Sequence, residues 1–329
     1  MVESFWRDRR VFVTGATGLL GSALVEELLA RGADVTCLVR DWVPQCRLVA
    51  GGLHEKAVLV RGELEDYNLV LRALNEYEVD TVFHLGAQTI VGTAQRSARS
   101  TFEANVRGTW NLMEAVKTCS PLVSRVVVAS SDKAYGSQQH LPYTEDLPLE
   151  GRFPYDASKA CCELVARSYA HTYRLPVAIT RCGNLYGAGD LNFNRLIPGT
   201  IRSALAGQPP VIRSDGTFLR DYFYVRDAVE AYLCLAEAVS PERHRGEAFN
   251  FGNDSPASVL DVVRLILKLM SKEELVPVVL NEATHEIREQ YLDCTKARRE
   301  LDWQPKWSLE SGLQETLEWY REFLAIGRT

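Results

Sequence analysis

Residues 10–21 read RVFVTGATGLLG. Val11, Phe12 and Val13 form a short apolar run behind the charged Arg10. That is the pattern of a strand covered on both faces, as in a parallel sheet. Gly15, Gly18 and Gly21 follow at a spacing of three, and residues 22–30, SALVEELLA, set apolar side chains three and four apart, which predicts a helix. Glycines at such a strand-to-helix turn permit positive φ and let a pyrophosphate approach the backbone. The helix N-terminus then offers free N–H groups and a partial positive charge. The spacing is GxxGxxG rather than GxGxxG. Taken alone, it divides evenly between a dinucleotide loop and an ordinary glycine turn; the flanking strand and helix favour the loop.

Outward from this unit, strands and helices alternate. Residues 33–39 (ADVTCLV) read as the second strand. An acidic residue at its end would suit the ribose hydroxyl of NAD, and an Arg the 2′-phosphate of NADP. Val39 fills the acidic slot and Arg40 follows, which favours NADP slightly; the adjacent Asp41, or a merely solvated Arg40, keeps NAD open. Strands are expected at 57–60, 81–85, 125–130 and 176–181, and helices at 69–77, 101–117 and 159–173. This alternation indicates a doubly wound, Rossmann-type α/β fold with a parallel sheet. His84, in the fourth strand, reads as a packed strand residue.

Beyond residue 182 the rhythm breaks into a Gly- and Pro-rich stretch to 224, a helix at 227–238, a strand at 248–251, and a mostly helical remainder with short strands from 259 to 328. The expected division is a dinucleotide-binding domain of 1–182 with about 225–252. A smaller, mixed, C-terminal substrate domain of 183–224 with 253–329 would interleave with it.

The 329 residues are 46% hydrophobic and 24% charged, ordinary for a soluble protein. A net charge of −6 argues against a general nucleic-acid or membrane-surface binder. The eight cysteines form no CxxC and join no His cluster, so neither a metal site nor a disulfide framework is expected. No signal region opens the chain and no run reaches membrane-spanning length, which points to the cytoplasm.

Tyr155 and Lys159 are four apart at a helix start and so share a face. A phenol is a poor base near its ordinary pKa of about 10, and a neighbouring ammonium is expected to lower that value. A phenolate so poised takes a proton from a hydroxyl while hydride departs.

The glycine turn with Thr14 and Thr17, the Tyr155/Lys159 pair and the segment Asn105-Val106-Arg107-Gly108-Thr109 resemble the short-chain dehydrogenase/reductase superfamily, and its extended, nucleotide-sugar branch. That resemblance implies cofactor contacts from Gly15, Thr17, Gly18, Leu19, Leu20, Gly21, Arg40, Glu63, Leu64, Leu85, Ala87, Gln88, Asn105, Tyr155 and Lys159. It gives Asn105 a structural task near the Lys. It completes a triad with Ser131, which would hydrogen-bond the reacting hydroxyl.

Asp132-Lys133 after Ser131 resembles the CDP-glucose 4,6-dehydratase variant of an Asp-Glu acid–base pair; a strand-end surface ion pair is the plainer alternative. Residues 181–190, RCGNLYGAGD, and His285-Glu286 followed by Leu292-Asp293-Cys294-Thr295-Lys296-Ala297 extend the likeness over nearly the whole chain. Residues 220–225, RDYFYV, follow epimerases and other dehydratases instead of the RPWQHV of the CDP-glucose group. The nucleotide therefore stays open.

The resemblance implies a nucleotide-diphosphate sugar as substrate, held by Gln88, Asn184, Asn194, Arg195, Arg220 and Arg288. It also implies a homodimer, to which residues 160–173 contribute. The activity implied is sugar dehydration; 4-epimerisation with the same triad is the alternative, and a non-catalytic dinucleotide sensor a third.

Overall fold

The computed structural model describes residues 4–282 and 286–326. His285 of the His-Glu motif lies outside the described residues, as does the end of the C-terminal helical stretch.

The strands are β1 (Arg10–Thr14), β2 (Asp34–Val39), β3 (Val58–Arg61), β4 (Thr81–His84), β5 (Arg125–Ala129), β6 (Val177–Cys182), β7 (Asn184–Tyr186), β8 (Val211–Ile212), β9 (Leu219–Arg220), β10 (Tyr222–Tyr224), β11 (Ala248–Phe251), β12 (Ala257–Ser258), β13 (Val278–Val279) and β14 (Glu289–Gln290). Between them run α1 (Leu19–Ala30), α2 (Arg47–Ala50), α3 (Tyr67–Glu76), α4 (Val91–Arg96), α5 (Ala98–Phe102), α6 (Gly108–Thr118), α7 (Pro154–Tyr173), α8 (Leu196–Leu205), α9 (Val225–Ala238), α10 (Val259–Leu269), α11 (Thr295–Leu301) and α12 (Leu309–Ile326).

Seven strands form one sheet in the order β11-β6-β5-β4-β1-β2-β3, parallel throughout. The apolar run in β1 explains why. Val11 and Val13 pack on one face with Leu24 of α1 and Ala228 of α9, while Phe12 packs on the other with Val70 of α3, Leu112 of α6 and Ala166 of α7. A strand buried on both sides needs apolar residues in succession. The chain starts at β1 and steps outward to β2 and β3 before returning to β4. The strand order therefore reverses between β1 and β4, and a crevice opens beyond their C-terminal ends.

The remaining strands make three small sheets, β10 with β7, β12-β9-β14, and β13 with β8. Of these, β7, β8, β9 and β10 contribute residues to the wall of the crevice.

Two helices differ from the sequence expectation. The helix expected at 101–117 runs without interruption from Ala98 to Thr118, but it carries a π turn at Glu103–Arg107 between α5 and α6. The helix expected to start at Lys159 begins at Pro154, whose fixed φ suits a first helical position. The C-terminal remainder is helical in α10, α11 and α12, with extended chain between the first two.

Candidate active site

A cleft of about 970 Å³ runs from the glycine turn to the small sheets. At one end Gly15 sits at φ 73°, and a Cβ there would fall 2.8 Å from the Gly86 nitrogen. A Cβ on Gly21 would fall 2.1 Å from the Gly15 carbonyl oxygen. The turn is thus closed against the β4 loop and against α1, which starts at an N-cap glycine with no side-chain cap. Thr17, Gly18 and the first turn of α1, Leu19, Leu20 and Gly21, line the cleft, where the first N–H groups of a helix lack intrahelical partners. This backbone cradle fits a dinucleotide's pyrophosphate. Leu64, Leu85 and Ala87 continue the wall. Arg40 also lines it, with its Nε donating to Asp41 at 2.7 Å in an exposed pair.

A buried relay fixes the β4 loop. Thr14 Oγ1 accepts from the backbone N–H groups of Leu85 and Gly86 at 3.1 and 2.9 Å, and lies 2.9 Å from His84 Nδ1. His84 Nε2 lies 3.0 Å from Thr109 Oγ1, which donates to the Asn105 carbonyl at 2.6 Å. Burial, with the Lys159 charge behind it, pushes the imidazole down to about 3, so His84 is neutral and joins β1, β4 and α6. The reading of His84 as a packed strand residue holds.

Asn105 lies in the π turn. Its side chain accepts from the Gln88 N–H at 2.7 Å and donates to the Gln88 carbonyl at 3.2 Å and to Ser158 Oγ at 2.8 Å. Ser158 in turn donates to the Tyr155 carbonyl at 2.7 Å. Asn105 thereby ties the β4 loop to the first turn of α7. Gln88 and Glu63 face a neighbouring hollow with Arg40, not the main cleft.

Ser131, Asp132, Lys133, Tyr155 and Lys159 all line the cleft. Ser131 ends the β5 extension and caps a 3-10 turn at Asp132–Tyr135 by accepting from the Lys133 N–H at 3.2 Å. Its hydroxyl donates to Asp132 Oδ1 at 3.0 Å, and its polar influence on the Tyr155 phenol opposes the effect of burial there. Asp132 is 2% exposed, and its Oδ2 has no hydrogen-bond partner. The surface-pair alternative for Asp132-Lys133 is therefore overturned: an exposed ion pair does not bury its carboxylate.

Burial pushes the Asp132 carboxyl above the usual range, against the pull of Lys133, Ser131 and Arg220. Burial pushes the Lys133 ammonium down, with Asp132 opposing and Arg220 reinforcing. The two shifts move the proton from Lys133 toward Asp132.

The expectation that Lys159 lowers the Tyr155 pKa is corrected. Burial pushes the phenol above its ordinary value, and Ser131 offsets only part of that. Lys159 points away: its ammonium donates to the Ala129 carbonyl at 2.7 Å.

Of the residues expected to hold substrate, Asn184, Asn194, Arg195 and Arg220 line the cleft. Arg195 pairs with Asp190 at 3.1 Å. Arg220 is buried and bonds the carbonyls of Leu219 and Arg288 at 2.8 and 3.0 Å. Arg288 itself turns outward: 71% of its side chain is exposed, and it pairs with Asp215 at 3.2 Å.

Comparison with known proteins agrees with this geometry. Residues 12–316 match the family described as GDP-mannose 4,6 dehydratase. The chain belongs to that family. It is 30% identical to the CDP-glucose 4,6-dehydratase of Salmonella typhimurium, over 98% of this chain and 93% of that one. The dTDP-glucose 4,6-dehydratase DesIV of Streptomyces venezuelae, solved with NAD and TYD bound, superposes with a TM-score of 0.86 at 31% identity, over 95% of this chain and 97% of that one. The UDP-glucose 4-epimerase of Thermotoga maritima, solved with UDP-glucose, gives 0.87 at 27% identity, over 96% and 99%.

The sequence alone does not mark Gln290. It is fully buried on β14 and bonds both Asp132 and Lys133. A lone Gln in an aperiodic stretch carries no local signal; only its place beside Leu292-Asp293 of the extended likeness marked the region.

Proposed function

We propose that this protein is a nucleotide-sugar 4,6-dehydratase, close in chemistry to CDP- and dTDP-glucose 4,6-dehydratases. The observation that carries the reading is the buried Asp132 with the half-buried Lys133 next to it, beside Ser131 and Tyr155 in one cleft. The dinucleotide, NAD or NADP, would lie on the 15–21 cradle and along Leu64, Leu85 and Ala87. When bound it would supply the redox chemistry, with hydride leaving sugar C4 and returning at C6.

The chain's own residues do the rest. Tyr155 is the base for the C4 hydroxyl: its phenolate form, which burial holds back in the dinucleotide-free protein, would accept that proton, with the Ser131 hydroxyl bonded to the same sugar oxygen. The C4 ketone acidifies C5–H, and Lys133, as amine, takes that proton. The Asp132 carboxyl gives its proton to the C6 oxygen; the C6–O bond breaks, water leaves, and C5 and C6 are joined by a double bond. Lys133 then returns its proton to C5. The phenol proton passes through Ser131, whose hydroxyl already donates to Asp132, and resets both groups. The net change is loss of one water, giving a 4-keto-6-deoxy sugar nucleotide.

Arg220 and Arg195 would meet the diphosphate, which suits a guanidinium fork, with Asn184 and Asn194 beside it. The 183–224 and 253–329 segments would form the substrate domain, and 1–182 with about 225–252 the dinucleotide domain. A homodimer through α6 and α7 is supported by Trp110, Leu164 and Tyr173, which are 45, 57 and 48% exposed. A cytoplasmic setting is supported by eight free cysteines. Among the described residues no helix is long and apolar enough to cross a membrane.

A 4-epimerase is the second reading, favoured by RDYFYV and by the likeness to the Thermotoga enzyme. It leaves the buried acid and the base next to it without a task. Mass spectrometry of a panel of nucleotide sugars incubated with the protein and NAD or NADP decides between them. Loss of one water supports the dehydratase; an unchanged mass at a new retention time supports the epimerase.

A further inference from the structure

We infer that Gln290 is a positioning residue that aims the acid–base pair and locks it to the strand carrying Arg220; this rests on the dehydratase reading above. Gln290 is fully buried at the end of β14, and it pairs in parallel register with Arg220 of β9. Both ends of its amide are committed to the Asp132–Tyr135 turn. Nε2 donates to the Asp132 main-chain carbonyl at 2.8 Å, and Oε1 accepts from Lys133 Nζ. The primary amide donates to a carbonyl through its NH2 and accepts from an amine through its oxygen at once.

The consequence is directional. A neutral Lys133 still donates one N–H to Gln290, so its lone pair points elsewhere than the β9–β14 ladder. Without that acceptor the four-carbon stem rotates freely. The ladder also carries Arg220, whose guanidinium is held by the Leu219 and Arg288 carbonyls and lies 3.5 Å from Glu286. One pair of two-residue strands thus holds the proposed diphosphate ligand and, through Gln290, the proposed base.

The charged groups that act on Lys133 are Asp132 on its own turn, Arg220 on β9, Asp156 on α7 and Glu286 ahead of β14. Asp132, Asp156 and Glu286 favour the ammonium and Arg220 opposes it. Gln290 is the neutral acceptor among them. A carboxylate at position 290 would add a further negative charge in hydrogen-bond contact with Nζ.

The test compares Gln290→Leu and Gln290→Glu with the wild type. Nicotinamide reduction on sugar-nucleotide addition reads C4 oxidation, and mass spectrometry reads water loss, both across pH. Gln290→Leu is expected to slow water loss by about 10²-fold, as a misplaced group does. C4 oxidation should persist, so reduced nicotinamide accumulates. Gln290→Glu, nearly isosteric, is expected to move the pH limb on which water loss rises upward by about 1–3 units. If both variants keep the wild-type partition and pH limb, or only melt at lower temperature, the positioning role is overturned while the dehydratase reading stands. A wild type that reduces nicotinamide but loses no water overturns the dehydratase reading and Gln290's role with it.

Discussion

The Lys159 ammonium donates to the Ala129 carbonyl, 2.7 Å away at the end of β5, and so fixes α7 against the sheet. Tyr155, one turn earlier, is left with a phenol raised by burial. In the dinucleotide-free protein Tyr155 is therefore expected to stay protonated up to at least its ordinary pKa of about 10. The phenolate absorbance of wild type and Tyr155→Phe, titrated in parallel, should not diverge below that pH. A difference appearing near neutrality would contradict the burial argument.

Asp132→Asn keeps the volume but removes the acid. Water loss should fall by about 10²–10⁴-fold, the usual worth of a general acid. C4 oxidation depends on Ser131 and Tyr155 and should survive, visible as reduced nicotinamide that is not reoxidised. Wild-type water loss in this variant would remove Asp132 from the mechanism.

Asp221 contributes a pH dependence of stability. It is buried, its Oδ2 has no hydrogen-bond partner, and burial pushes its carboxyl up to about 7. The unfolded value is about 3.9. Between those values the native state holds the extra proton, so stability falls as pH rises from about 4 to 7 and is flat beyond. Burial pushes Asp156 up to about 6, and it acts in the same sense over a narrower window. Asp221→Asn should therefore gain on wild type with rising pH, by on the order of a few kcal/mol at pH 8. Melting temperatures from pH 4 to 8 check this; a constant offset between the two proteins would refute it.

Gly15→Ala places a side chain at φ 73° and 2.8 Å from the Gly86 nitrogen. Strain of about 1–3 kcal/mol is expected, and the β4 loop must move. Dinucleotide affinity, followed by fluorescence quenching, should drop by more than tenfold, whereas Gly52→Ala, also at positive φ but with open space around it, should leave it unchanged.

Legibility in the sequence followed locality. The strand, turn and helix of 10–30 and the Tyr155/Lys159 pair were readable because their signals repeat within one or two turns. Asn105 was readable as a residue with a task, but the π turn around it was not, since nothing in helical periodicity marks one extra residue per turn. The burial of Asp132 was not readable either. The residue's surroundings include Arg220, which acts on its charge, and Gln290, which bonds its main-chain carbonyl, from β9 and β14 far along the chain. Arg288 looked like a phosphate ligand by residue type, and the fold gives it to Asp215 instead.

The central claim is that one cleft removes hydride from C4, a proton from C5 and hydroxyl from C6. The direct test uses a nucleotide sugar deuterated at C4, turned over in water and then, unlabelled, in D2O, with the product read by NMR. The account predicts deuterium from C4 at the new C6 methyl group, and solvent deuterium at C5. A label that stays at C4, with no exchange at C5 and no loss of water, would contradict it.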